Sequence, residues 1–431
     1  MVVTGRLAAA ATVAGVVVAV AWYSWVGVAI VTGLLCAAVL FDMGSVARAR
    51  DLTLSREPIT VVRLGRTAEV ELTVVNTGTR IASGYLWDDW PDSARTGNRT
   101  HRLAVAPNTK VRLRTTLTPT YRGDRVAGPV TLRLVGPLGL AGRQTRRTVS
   151  ARVRALPPFR SERLLRSKVK RLQHLEGRNV ANMRGQGSEF DSFREYVAGD
   201  DVRAIDWRAT ARAADVLVRT WRPERNRHVL MLLDTGRISA GRVGAGTRLD
   251  ASIEAALLLG GLASAAGDSV DLLAYDRQVR TEVRGIGGNR LQLTLMHAMA
   301  GVIPALVDTD SAGLVRAALQ RARRRSLVVW FTSLDGAAVE ENLLPVLPVL
   351  AQRHRVLIVS VTDPEIAAAA ARRDTLGDLY AAAAAESVLA ERALVQESLR
   401  RRGIAVVAAA PDHLPEALAD EYLELKLSGT M

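Results

Sequence analysis

From Leu7 to Phe41 the chain runs 35 residues without a charge. As one helix this stretch would reach about 52 Å, against roughly 30 Å of bilayer hydrocarbon. One straight pass is too long. Two short passes fit if the chain turns at Trp22–Trp25 (WYSW), where Trp and Tyr suit a membrane interface. The pattern therefore predicts a transmembrane helical hairpin over residues 1–50. Beyond residue 51 the period changes. ITVVRLGRTAEVELTVVNTG, KVRLRTTLTP and GPVTLRLVGPLGLAGRQ alternate apolar and polar positions and stop at turn-forming residues. Residues 51–157 read as a small β-sandwich of immunoglobulin-like type, with Trp87 and Trp90 in core or corner positions. In residues 158–227, SERLLRSKVKRLQHLEGR begins with Ser161 as a candidate N-cap. It sets Leu164, Leu165, Val169, Leu172 and Leu175 at near-helical spacing, as a linker helix resting on its neighbours.

From His228 the pattern becomes strand, helix, strand, helix. HVLMLLD, DSVDLLAYD, SLVVWFTSLD, RVLIVSVTDP and IAVVAAAP read as buried strands. RLDASIEAALLLGGLASAAG reads as a helix closed by Gly267, ENLLPVLPVLAQRH as one with Pro345 and Pro348 in its first turns, and residues 374–402 as a long Ala-rich helix. Residues 228–431 are therefore expected to form a Rossmann-like α/β domain with a parallel sheet. Such sheets carry their sites at the carboxyl ends of strands. The candidates there are Asp234 to Ile238, Gly285 to Arg290 and Ser333 to Asp335.

Charge refines this picture. The formal net charge is +15, almost entirely through arginine. Acidic runs interrupt the basic ones and no aromatic-studded basic strip appears, so the balance points to a membrane face rather than to nucleic acid. Arg6 precedes the apolar run, and Arg48, Arg50 and Arg56 follow it. Positive flanks stay cytoplasmic, which predicts a two-pass protein of the cell membrane with cytoplasmic soluble domains and lipid as one partner. The rival topology is a signal peptide cleaved after Ala19-Val20-Ala21, with the second apolar run as an anchor. Cys36 is the single cysteine. CxxC, HExxH, GxxxxGK[ST] and GxSxG are absent and GIGGN lacks the dinucleotide spacing, so no cofactor and no small-molecule substrate is expected.

One stretch is denser in chemistry than the rest. EYVAGDDVRAIDWRATAR, Glu195 to Arg212, holds four acids, three arginines, a Tyr and a Trp in eighteen residues. It has no His, no Cys and no nucleophile beside a base, so catalysis is not expected. Gly199-Asp200-Asp201 reads as a turn that N-caps a short helix through Trp207. On that helix Arg203 pairs with Asp206, while Arg208 and Arg212 reach other acids or stack on Trp207. Two readings stay open, a rigid charged brace and a preformed docking face.

At this point the residues resemble a known family. GSEFDSFREYVAGDDVRAIDWRATAR, from Gly187, then VRTWRPERNRHVLMLLDTG and RHRVLIVSVTDP, are similar to the signature of the domain of unknown function 58 family. The signature positions are Glu189, Phe190, Arg194, Glu195, Tyr196, Gly199, Asp200, Asp201, Arg203, Asp206, Trp207, Arg208 and Arg212. The resemblance spans essentially the whole chain. It implies a transmembrane hairpin, a small β-domain and a von Willebrand factor type A-like domain. It further implies a MoxR-type AAA+ ATPase as partner, in assembly, maturation or stress, and no established enzymatic activity. The alternative is a membrane-bound enzyme acting on cell-envelope material. A third reading, an outward-facing adhesion module, needs a metal-ion-dependent adhesion site. Here Asp234 keeps the first carboxylate, but Gly236 and Ile238 stand at the two serine positions. Asn289 and Arg290 stand where a Thr is needed, and Ser333 at the aspartate position with Asp335 two residues on. Ile238 cannot coordinate, so no working Mg²⁺ site is expected. Asp234 is then expected to cap the following helix or pair with Arg237.

Overall fold

The computed structural model describes residues 2–21, 24–182, 189–213, 215–222, 227–286, 288–336 and 339–428. The chain divides into two compact units, Met1–Leu156 and Pro157–Met431. Two apolar helices open the first, α1 (Gly5–Ala21) and α2 (Trp25–Ser45). Trp22 and Tyr23 of the expected turn lie outside the described residues. Ser24 closes the turn by accepting the Val26 N–H as N-cap. Among the described residues one helix, the one that begins at Trp25, is long and apolar enough to cross a membrane; α1 is apolar but shorter.

Among the described residues eleven strands make up the rest of this unit. They are β1 (Val2–Val3), β2 (Leu52–Arg56), β3 (Ile59–Arg63), β4 (Ala68–Asn76), β5 (Ala82–Asp88), β6 (Thr100–Val105), β7 (Lys110–Leu117), β8 (Gly123–Val126), β9 (Val130–Val135), β10 (Ala141–Arg147) and β11 (Arg152–Leu156). The order β1-β10-β9-β5-β6 faces β2-β4-β7, and a third sheet runs β3-β11-β8. The alternation of sequence becomes an alternation of burial. Leu72 and Val74 of β4 meet Leu86, Leu103, Leu132 and Leu134 of the opposite sheet, all essentially buried. Each such leucine contributes about 1.5–3 kcal/mol by leaving water. Inside this unit lies an ion pair, Arg56 with Asp88, whose side chains are both fully buried. Thr115 donates to Asp88 at 2.6 Å, and Trp90, which is 2% exposed, lies 5.4 Å below the guanidinium. Burial pushes the Arg56 pKa down to about 10.

The second unit starts with α3 (Glu162–Asn182). Ser161 is not a side-chain cap. Its hydroxyl donates to Glu254 instead, at 2.9 Å. Leu172 is buried, Leu165 reaches Gly261, and Lys168 bonds Asp420 at 2.8 Å; the side chain of Leu175 lies outside the described residues. The expected linker helix is thus packed structure of this unit. A two-stranded ribbon follows, β12 (Glu189–Glu195) with β13 (Leu217–Arg222), joined by an excursion that includes α4 (Trp207–Thr210).

The main sheet comprises β14 (His228–Asp234), β17 (Ser269–Tyr275), β18 (Val279–Ile286), β19 (Leu327–Phe331), β20 (Arg355–Val361) and β21 (Ala405–Ala409). A tiny ribbon, β15 (Arg242–Val243) with β16 (Gly246–Thr247), precedes the first long helix. The order is β18-β17-β14-β19-β20-β21, parallel throughout except for β18 at the edge. Helices α5 (Arg248–Ala265), α6 (Leu291–Ala300), α7 (Ser311–Arg321), α8 (Leu347–Ala351), α9 (Pro364–Ala371), α10 (Leu376–Arg401) and α11 (Leu414–Leu427) complete the unit. Leu230, Leu232, Val328, Trp330 and Ile358 face α7, α8 and α10 on one side. The opposite face carries α5, which packs on β14, β17 and β20 and carries α3, α6 and α11. The expected strands all form. The single helix expected around Pro345 and Pro348 does not: a π-helical turn at Val339–Leu343 is followed by α8, with Pro348 in its first turn. A proline inside a longer helix would remove a bond and clash one turn back.

Candidate functional site

The charged signature folds as a ribbon whose tip is fastened by its own acids. Gly199 takes φ +111°, a left-handed value that favours glycine, and turns the chain out of β12. Asp200 accepts from Arg194 at 2.6 Å and from the Val197 N–H at 3.0 Å. Asp201 caps a 3-10 turn, Val202–Ala204, through the Arg203 N–H. Ile205 is extended and bridges Val218 of β13, so the helix expected to run on to Trp207 is broken there. Asp206 then caps α4, taking the N–H groups of Arg208 and Ala209 on one oxygen. Its other oxygen accepts from Arg219 Nε at 2.6 Å. The expected partner Arg203 is not the one used, because the break at Ile205 removes the helical spacing that would bring Arg203 to Asp206.

These bonds set the acid–base character. The Ala209 N–H, then Arg219, hold Asp206 below the usual carboxylate range; Arg194, then the Val197 N–H, do the same for Asp200. Both are fixed as anions near neutrality, unsuited to proton donation. What the ribbon presents outward is different. Trp207 is 68% exposed and Val202 64%, with Tyr196 and Val197 also exposed and the side chains of Arg203, Arg208 and Arg212 open to solvent. No cation–π contact to Trp207 occurs among the described residues. Glu195 is also exposed; Glu189 and Phe190 lie on β12, with side chains outside the described residues. Trp, Tyr and Arg are the residue types that carry most binding energy at protein interfaces.

A second candidate lies at the carboxyl ends of β14, β17 and β19. Asp234 ends β14 and is 9% exposed. Thr309 and Thr332 donate their hydroxyls to its two oxygens, and the Gly236 N–H donates at 2.9 Å. Burial outweighs these bonds and pushes the Asp234 carboxyl up from its ordinary value. Arg237 pairs with Asp308 at 2.8 Å, not with Asp234. The loop that reaches Asp234 carries Thr309 and follows α6. Gly285 to Arg290 lie elsewhere, since β18 runs antiparallel and ends beside the amino end of β17, with Ile286 opposite Val270. Asp276, at the end of β17, is also buried and takes Thr235 Oγ1 and Arg280 Nε.

The residues do not fit a metal-ion-dependent adhesion site. A Cβ on Gly236 would lie 2.1 Å from Thr309 Oγ1, so a serine cannot stand there while Thr309 does. Ile238 lines the remaining cavity of about 20 Å³, room for one water. Ser333 accepts from Arg248 Nη1 at 2.9 Å, and Arg248 and Arg392 both grip Asp335. The Arg248 side chain thus lines the same cavity as Asp234, and its positive charge disfavours a cation there. Among the described residues no group of three or more His, Cys, Asp or Glu is placed to hold a metal ion. Thr309, Thr332, Arg248 and Asp276 were not singled out by sequence. Only Asp276 carried a signal, as an acid at a strand end.

Comparison with known proteins covers part of the chain. Residues 192–371 match the family described as Protein of unknown function DUF58. The match takes in the ribbon from Ser192 and the α/β unit as far as α9. Uncharacterized proteins of Mycobacterium tuberculosis and Mycobacterium bovis are each 29% identical over 192 residues, 44% of this chain and 60% of theirs. The chain thus matches less than two thirds of the length of those relatives. A FixG-related protein from Vibrio parahaemolyticus aligns over 24% of this chain and 94% of its own, at 15% identity and TM-score 0.16. An inactive mutant of a GH20 exo β-N-acetylglucosaminidase from Vibrio harveyi aligns over 83% and 75%, at 11% identity and TM-score 0.20. At those scores neither bears on the fold or chemistry of this chain.

Proposed function

We propose that this chain is a membrane-anchored interaction protein whose ribbon face docks a cytosolic MoxR-type AAA+ ATPase in assembly, maturation or stress. The observation that carries the reading is the division of labour in the ribbon. Asp200, Asp201 and Asp206 are occupied by caps and arginine pairs, while Trp207, Tyr196, Val202 and three arginines face outward. A structural brace would turn those side chains inward. The nature of the partner rests on the family resemblance.

On the same reading the second unit is von Willebrand factor type A-like. Its sheet order, with a single antiparallel edge strand and helices on both faces, supports this. The two apolar helices and the arginines that flank them support a two-pass anchor with both soluble parts cytoplasmic. Pairing of Val2–Val3 with β10 favours retention of α1 over its removal as a leader. No specific observation favours the envelope-enzyme alternative.

The test is co-purification from gently solubilised membranes, wild type against Arg203→Glu with Trp207→Ala and Arg208→Glu. All three positions are exposed, so folding is expected to survive. Recovery of an AAA+ ATPase with wild type and its loss with the variant supports docking through this face. Recovery with both moves the interface elsewhere, and recovery with neither removes the adaptor reading.

A further inference from the structure

The roots of both apolar helices are clamped to one turn of the β-domain. Before α1, Val3 and Val2 pair with Ala141 and Gly142, and Thr4 donates from Oγ1 to the Gly139 carbonyl at 2.6 Å. Near the end of α2, Asp42 is fully buried and accepts three backbone N–H groups, from Leu138 at 2.8 Å, Leu140 at 2.7 Å and Ala141 at 2.8 Å. The fit is close. A Cβ on Gly136 would lie 2.2 Å from Asp42 Oδ1, and one on Gly139 2.8 Å from Arg6 Nη1. The β9–β10 turn therefore sits at the level where the two helices meet the β-domain.

That level has a definite chemistry. Leu138, at the tip of the turn, is 47% exposed and Val3 is 56% exposed. Arg6 in the first turn of α1, Arg48 just past α2 and Arg143 beside Gly142 are all exposed. Neighbouring cations are occupied. Arg80 donates to the Gly44 and Val46 carbonyls, Arg147 to that of Ala49 at 2.8 Å, and Arg50 lies 3.7 Å from Asp51. We propose that Leu138, Val3, Arg6, Arg48 and Arg143 form a seat for anionic phospholipid headgroups, which fixes the β-domain against the bilayer surface. Guanidinium forks bind phosphate at two points, and an apolar tip between them enters the interface. The inference rests on α1 and α2 crossing the membrane.

The test uses the full chain with Cys36→Ala and Leu138→Cys, labelled at 138 with an environment-sensitive fluorophore. It is placed in nanodiscs of phosphatidylcholine alone or mixed with phosphatidylglycerol. A blue shift of emission is expected with phosphatidylglycerol, much smaller without it, and lost on adding Arg6→Gln, Arg48→Gln and Arg143→Gln. Inorganic phosphate is expected to leave the shift intact. If free phosphate abolishes it, the arginines serve a soluble anion and the lipid seat is overturned. Water-like emission in both lipids overturns the seat while carbonate extraction still finds the chain in the membrane. If carbonate releases the chain, the spanning reading fails and the seat with it.

Discussion

Asp206 links two pieces of local structure through one carboxylate: the start of α4 and, through Arg219, strand β13. Its pKa lies below that of an unfolded aspartate. Its contribution is therefore fully present above the unfolded value, about 4, and is lost as pH falls through the lower folded value. The protection factors of the Arg208 and Ala209 amides, exchange rates divided into those of the unfolded chain at the same pH, are expected to be higher at pH 5 and to fall as pH drops below about 4. In Asp206→Ala they should be low at both. Equal protection in the variant would mean that the cap does not hold α4. The pair Arg56–Asp88 tests a different regime. Both charges are fully buried, so Asp88→Ala leaves a guanidinium without its counter-ion and is expected to cost about 3–5 kcal/mol, read as a lowered unfolding midpoint of the first unit. Arg56→Met with Asp88→Leu should recover most of that loss, since replacing a buried pair by apolar groups is often neutral. At Gly236 the steric argument predicts that Gly236→Ser is destabilising by about 1–3 kcal/mol and does not create Mg²⁺ binding by calorimetry, because Thr309 fills the space.

Among elements, legibility followed periodicity. The five buried strands of the α/β unit and the long helix α10 were readable because each repeats one period over enough residues. α10 also carries a capping box, Thr375 with Asp378. β18 was not foreseen, since VRTEVRGI is a polar edge strand without a continuous apolar run. β12 was read only as a charged signature, because its glutamates and arginine hid a strand that pairs with β13. The helix expected through Trp207 failed for a tertiary reason: Ile205 takes an extended conformation to bridge Val218, which no local propensity reports. At the strand ends, Thr309 comes from a loop about 75 residues after Asp234, a pairing that spacing alone does not encode. The root of the hairpin gives the element-scale prediction. Asp42→Ala strips the partner from three backbone N–H groups, each costing about 1–3 kcal/mol if left buried and unpaired. Limited proteolysis should then cut the β9–β10 turn in the variant and spare it in wild type.

At the scale of the whole molecule, the charge of +15 has a distribution that fits its proposed work. Arginines gather where the helices meet the β-domain and again on the ribbon, while in the α/β unit several are locked to acids, as Arg248 and Arg392 are to Asp335. The sequence carried the broad plan of apolar helices, β-rich region and α/β unit, because each rests on a different hydrophobic period. Which acids face inward and which aromatics face outward on the ribbon was not legible, because Asp, Arg and Trp occupy either side with equal ease until the register of β12 and β13 is set.

The central claim is that the ribbon face contacts an AAA+ ATPase. A photo-reactive amino acid placed at Trp207, in living cells, tests it most directly, with Val279 on the exposed edge strand as control. A cross-link to a MoxR-type ATPase from position 207 and none from 279 is the predicted result. No ATPase adduct from 207, or adducts of equal yield from both positions, would contradict it.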